Sequence, residues 1–163
     1  MESPDILARI EDDLSVSDDA MRSIPESSTA INPEPFGPVI DAYTRADAIA
    51  DGTLVAVPEP IAREAGLRAP VAITRAAWTD CVEWSDTDSN RQTPQDEEGR
   101  LWDVLFMTAF AARRHTRTPF PVELYRVPRG GRARTARLIE LTCRFHQGDG
   151  GEPVITISLP DED

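Results

Sequence analysis

The chain has 163 residues, 40% of them hydrophobic and 28% charged, which suits one compact domain. Its net charge of −12 disfavours non-specific attachment to nucleic acid or to an anionic membrane surface. All 17 basic residues are Arg, so chemistry that needs a lysine, such as a Schiff base or a P-loop contact, is excluded.

Residues 1–35 are rich in Asp, Glu, Ser and Pro, lack aromatics, and carry nine acids against two Arg. Such a segment buries too little apolar area to offset its ordering entropy and is expected to be a largely disordered acidic tail. Within it, Ser3 to Leu14 spaces Ile6, Ile10 and Leu14 as a thin helical stripe. The ordered domain is expected to span residues 36–163. Its opening, Phe36 to Ala42, reads as extended chain with Gly37 and Pro38 as turn-formers.

Thr44 with Asp47 forms a capping-box pattern before a short helix that Gly52 ends. Thr53 to Val57 is a β-rich run stopped by Pro58, and Glu59 to Ala65 is a two-turn helix stopped by Gly66. Pro70 to Ile73 is a short apolar segment. Thr74 caps a helix running to about Trp84, with Trp78, Cys81 and Val82 on one face, and Ser85 to Thr93 reads as a polar loop. Thr93 and Pro94 open the longest helix, which runs to about Arg114 with an acidic first turn and a basic last one, matching the macrodipole. It is apolar on most sides from Leu101 to Phe110 and is expected to be the central core helix.

The C-terminal third alternates apolar and polar residues with period two over Val122–Val127, Ala136–Phe145 and Val154–Leu159. Glycine-rich linkers separate these runs. The pattern predicts an α+β fold: a three-stranded antiparallel meander packed against the long central helix and the shorter ones.

Charge is uneven along this domain. Residues 36–112 hold thirteen acids and six Arg, residues 113–144 hold nine Arg and two Glu, and residues 145–163 hold five acids and no Arg. Arg126, Arg129, Arg132, Arg134 and Arg137 cluster around one turn beside Tyr125, making a candidate partner-binding hairpin. Arginine forks match phosphates and carboxylates bidentately, so the hairpin suits a protein's acidic face or a nucleic-acid backbone. A solvated hairpin held by the chain's own acids is the plainer reading.

Metal and catalytic signals are weak. Asp86, Asp88, Asn90 and Glu97 stand at EF-hand spacing, yet Arg91 replaces the turn glycine and Pro94 starts a helix that aims Glu97 elsewhere. His146, Asp149 and Glu152 share a loop near Cys143, with no zinc spacing. His115 lies among arginines, and neither histidine has the context of a triad. No metal and no cofactor are expected. A candidate polar pocket between the first helix and the sheet would use Tyr43, Thr44, Arg45 and Asp47.

Cys81 and Cys143 lie far apart, the N-terminus is acidic where a signal peptide would be basic and then apolar, and no apolar run approaches the ~20 residues that span a bilayer. A soluble cytoplasmic protein with free thiols and no membrane partner is expected.

The stretches FGPVIDAYTRADAIADGTLVAV, RQTPQDEEGRLWDVL, ELYRVPRGGRARTARLIEL and GEPVITISLPDED together resemble an uncharacterised family of small bacterial proteins, known only as a domain of unknown function. The resemblance covers about residues 36–163. It implies carriage on plasmids, integrative elements and prophages of GC-rich bacteria, and it brings no catalytic residue with it. The leading expectation is a non-enzymatic mobile-element protein that binds a host or defence-system protein, its acidic surface occupying a site meant for nucleic acid. The alternative is a nucleic-acid accessory factor in element transfer or replication, acting through the Arg-rich hairpin. A third reading is a small enzyme using the Tyr43 pocket.

Overall fold

The computed structural model describes residues 42–162. The acidic tail, its Ile6–Ile10–Leu14 stripe and the extended opening at Phe36 lie outside the described residues. Helix α1 (Arg45–Ala50) starts where the capping box predicts: the Thr44 hydroxyl accepts from the Asp47 N–H at 3.1 Å, and the Asp47 carboxylate accepts from the Thr44 N–H at 3.0 Å. Gly52, at φ +84°, turns the chain into β1 (Leu54–Ala56). Helix α2 (Glu59–Glu64) follows and closes at Gly66, at φ +100°.

The apolar run before Thr74 is a strand, β2 (Val71–Thr74), in which Val71, Ala72 and Ile73 are all buried. It pairs antiparallel with β1 and parallel with β5 (Pro153–Ser158). An unalternating apolar run of this kind is what a strand covered on both faces requires. Among the described residues the sheet therefore has five strands, in the order β1-β2-β5-β4-β3, two more than the expected three-stranded meander. Strand β3 (Phe120–Arg126) pairs antiparallel with β4 (Arg137–Gln147), and β4 pairs antiparallel with β5.

Helix α3 (Arg75–Cys81) is capped by the Thr74 hydroxyl, which accepts from the Ala77 N–H, and it ends earlier than expected. The expected polar loop after Ser85 is instead a helix, α4 (Asp86–Arg91). Ser85 and Asp88 form a second capping box, with the Ser85 hydroxyl donating to Asp88 at 2.6 Å. A helix through Asp86, Asp88 and Asn90 is incompatible with the loop that an EF-hand needs. The long helix α5 (Glu97–Ala112) begins three residues later than Pro94 predicts. Its N-cap is Asp96, whose carboxylate accepts from the Gly99 N–H at 2.7 Å.

Helix α5 does not bury most of its sides. Leu101, Val104, Leu105, Thr108 and Ala109 form the buried stripe at positions i, i+3, i+4, i+7 and i+8, and they pack in the core with Val122, Leu141, Ile155 and Ile157. The Thr108 hydroxyl donates to the Val104 carbonyl at 2.8 Å, so its burial leaves no unpaired polar group. Phe106 and Phe110 lie off the stripe and face outward. Among the described residues no helix is long and apolar enough to cross a membrane.

This stripe yields a direct comparison. Leu105→Ala is expected to lower unfolding free energy by about 3 kcal/mol, through lost transfer and a residual cavity. Phe106→Ala, one position along, half-exposed and stacked on Trp102, is expected to lower it by only about 1 kcal/mol. Urea denaturation followed by circular dichroism checks both.

Candidate functional site

The cluster of arginines after β3 divides into two groups. Arg126 grips Asp80 of α3 bidentately at 2.8–3.0 Å, and Arg129 bridges Asp88 of α4 at 3.0 Å and Glu83 at 2.8 Å. These two side chains anchor the β3–β4 connection, residues 127–136, onto α3 and α4. Arg132, Arg134 and Arg137 are exposed and have no ion-pair partner among the described residues. Gln92 and Thr93 hold the loop's backbone: the Gln92 amide donates to the Pro128 and Ala133 carbonyls, and the Thr93 hydroxyl donates to the Arg134 carbonyl at 2.8 Å.

Beneath this loop lies Arg100 of α5, only 4% exposed. Its guanidinium donates to the carbonyls of Asp80, Val82 and Val127, each at 3.1 Å, and to the Gln95 side chain, and it stacks over Trp84 at 4.5 Å. Burial lowers its pKa from the usual arginine value, opposed by nearby anionic groups. Asp88 shows the opposite effect: the Ser85 hydroxyl, Arg129 and the Ser85 N–H hold its carboxyl down at about 2. A cleft of about 840 Å³ opens between α3 and the loop, lined by Thr53, Arg75, Thr79, Asp80, Asp88, Arg129 and Glu162 among others. Most of its polar groups are already engaged. Asp80 and Asp88 hold arginines, Glu162 accepts from the Thr74 hydroxyl and the Leu159 N–H, and the Arg75 Nε donates to the Gly52 carbonyl.

The Tyr43 group serves the fold in the same manner. The Tyr43 hydroxyl donates to Asp51 at 2.6 Å, while Thr44 and Asp47 cap α1. Arg45 donates to the Thr156 hydroxyl at 2.7 Å and to the Ile155 carbonyl at 3.0 Å, pinning α1 to β5. Asp149 is drawn in as well: its carboxylate accepts from the N–H groups of Arg45 and Ala46 at 2.8 and 2.9 Å. His146 contacts the Gln147 carbonyl and the Thr156 hydroxyl, and His115 stacks on Phe120. Burial pushes the thiols of Cys81 and Cys143 up to about 12. Among the described residues no group of three or more His, Cys, Asp and Glu side chains is placed to hold a metal ion.

The family model for a family of unknown function, DUF6573, matches residues 36–163. The chain belongs to that family. Neither the curated proteins nor the solved structures provide a match. The matched residues hold the sheet, the five helices among the described residues and the arginine loop of this DUF6573 domain.

A second surface joins Tyr125, a candidate from the sequence, to three residues that were not anticipated. Phe106 (51% exposed), Phe110 (44%), Tyr125 (67%) and Leu138 (52%) stand along α5 and the β3–β4 border. They line two adjoining grooves of about 350 Å³ each, which share Met107 and Glu123. The sequence carried the signal: Phe106 and Phe110 are spaced i, i+4 away from the Leu101 stripe, and Leu138 stands on the otherwise polar face of β4 with Glu140, Thr142 and Arg144.

Two measurements test the arginine base. Arg100→Lys keeps the charge but loses the planar fork, leaving carbonyls unpaired, and is expected to cost about 2–4 kcal/mol, whereas Arg132→Ala stays within about 0.5 kcal/mol. For Asp88 the folded-state pKa of about 2 lies below its ordinary value of 3.8. Its stabilising contribution is therefore complete above the ordinary value and is lost as pH falls towards about 2. Asp88→Asn is expected to be less stable than the native chain at neutral pH, with the two stability curves converging at the acid end. Thermal melts across the acid range read this directly.

Proposed function

We propose that this domain is a non-enzymatic mobile-element protein that binds another protein in the bacterial cytoplasm, a host or defence-system protein being the partner class. The observation that supports it is the exposed set Phe106, Phe110, Tyr125 and Leu138, in a chain that displays the exposed Arg132 and Arg134 in its arginine loop and Arg137 at the start of β4. Contiguous exposed aromatic side chains mark interaction surfaces, and Tyr and Arg are among the residues that dominate binding energy there. The hydrogen bonding of His146 to Thr156 and the burial of both thiols support a binding role over catalysis. The net charge of −12 supports a partner whose own surface is basic, as in proteins that handle nucleic acid. The resemblance to proteins carried on plasmids and prophages supports a host or defence-system partner.

A second reading rests on Arg132, Arg134 and Arg137 alone. Exposed and without carboxylate partners among the described residues, they suit phosphate contacts of an accessory factor in element transfer or replication.

Affinity capture of the tagged full chain from a native host, read by mass spectrometry, separates the two. The interaction reading expects a protein partner that Phe106→Ser with Tyr125→Ser releases, and weakened restriction or CRISPR interference in cells expressing the chain. No captured protein, with both defences intact, overturns it. The nucleic-acid reading expects oligonucleotide retardation at low salt that the combined Arg132→Ala, Arg134→Ala and Arg137→Ala changes abolish.

A further inference from the structure

We propose that the outer edge of β3, with α5 beside it, receives an extended segment of a partner protein as an added strand, the segment carrying apolar side chains at alternate positions and acidic side chains towards its ends. The inference rests on the interaction reading above and supplies its mode of recognition.

Strand β3 ends the sheet and has β4 as its one strand neighbour among the described residues. The Phe145 N–H donates to the Thr118 hydroxyl at 2.8 Å, on the side of β4 that faces β3. Alternation along β4 sends the amides of Cys143, Leu141 and Ile139 the same way, towards Phe120, Val122 and Leu124. The backbone groups of Pro121, Glu123 and Tyr125 therefore face outward. Pro121 agrees with this placement, because proline has no N–H to contribute and is tolerated on an edge. Outward N–H and C=O groups at Glu123 and Tyr125 form a template for another strand.

The flanks suit the side chains of such a strand. Successive side chains point to opposite faces. One set would meet Phe106, Met107 and Phe110 in the two grooves, and the other would meet Tyr125 and Leu138. Charge limits the segment further. Arg114, which lies over the Phe110 ring at 5.3 Å, stands at the Pro121 end of the grooves, and Arg137 stands at the Tyr125 end. Neither has a carboxylate partner among the described residues. Asp103 and Glu123 lie between them and repel acid at the centre. A second copy of β3 fits less well, because antiparallel self-pairing centred on Glu123 sets like charges opposite one another.

The test is selection of a displayed random-peptide library on the full chain, followed by titration of the selected peptides under two-dimensional NMR. Enriched peptides are expected to alternate apolar residues between acidic ends and to shift the Glu123 and Tyr125 amides. Glu123→Pro removes an outward N–H without breaking a bond to β4, Glu123→Gln controls for the carboxylate lost with it, and melting is expected to confirm that both fold. Glu123→Pro should weaken binding about tenfold or more, as should Phe106→Ser, each equivalent to about 1.4 kcal/mol. Arg137→Glu should weaken the acidic-ended peptides selectively. Absence of enrichment, or peptides that bind the Glu123→Pro chain as tightly as the native one, overturns the inference. So do shifts confined to Arg132 and Arg134. A captured host partner that Glu123→Pro leaves bound removes strand addition while the interaction reading stands. Selected peptides that obey the expected pattern, with no partner captured from the host and both defences intact, leave strand addition standing and remove that reading.

Discussion

The arrangement of α3, α4, α5 and the arginine loop depends on one buried guanidinium. Arg100 carries a charge into the interior with no ion-pair contact among the described residues, and carbonyls from the end of α3 and the end of β3 take up its donors. A charge removed from water is costly unless its hydrogen-bonding groups are satisfied, so those carbonyls must be held where the fork points. Arginine suits the role because its donors are fixed in a plane and it stays protonated when burial lowers its pKa. Asp80 then serves two partners, its carbonyl meeting Arg100 and its carboxylate meeting Arg126. The junction is thus a polar network in which each member orients the next, with Arg129, Asp88 and Ser85 extending it to α4.

That network changes the meaning of the charge pattern. A basic island in an acidic chain reads, from the sequence, as a surface waiting for an anion. Its root is internally neutralised by Asp80, Glu83 and Asp88, and only the distal arginines remain open to solvent. The acids belong to a stretch read as a helix face and a polar loop. Nothing in linear spacing reveals that Asp88 meets Arg129 across 41 positions. Local pattern reports local structure, and ion pairs of this separation are set by the fold.

Legibility followed the same division. Thr44 with Asp47, Gly66, Thr74 and the alternation of β3, β4 and β5 announce themselves because caps and period-two patterns are local. Strand β2 did not, because a four-residue apolar run lacks a period and its identity comes from β1 and β5 on either side. Ser85 with Asp88 obeys the same capping rule as Thr44 with Asp47, and the polar residues that follow hid it. Among site residues, the arginine cluster was visible by composition. The outward set Phe106, Phe110 and Leu138 was concealed by expecting an apolar residue to be a buried one.

The capping of α1 by Asp149 joins the start of the described domain to its last hairpin. Strand β2, second from one edge of the sheet, likewise gains its second neighbour only from β5, more than eighty positions later. During synthesis the first helix and β2 thus emerge long before the residues that complete them. Loop closure over such separations precedes the contacts that reward it, which slows assembly. Until Pro153–Ser158 has left the ribosome, β2 exposes an unpaired apolar flank, and a chaperone or a neighbouring nascent chain can reach it. The domain closes from its C-terminal end, so truncation there removes the clasp that holds both ends of the fold together.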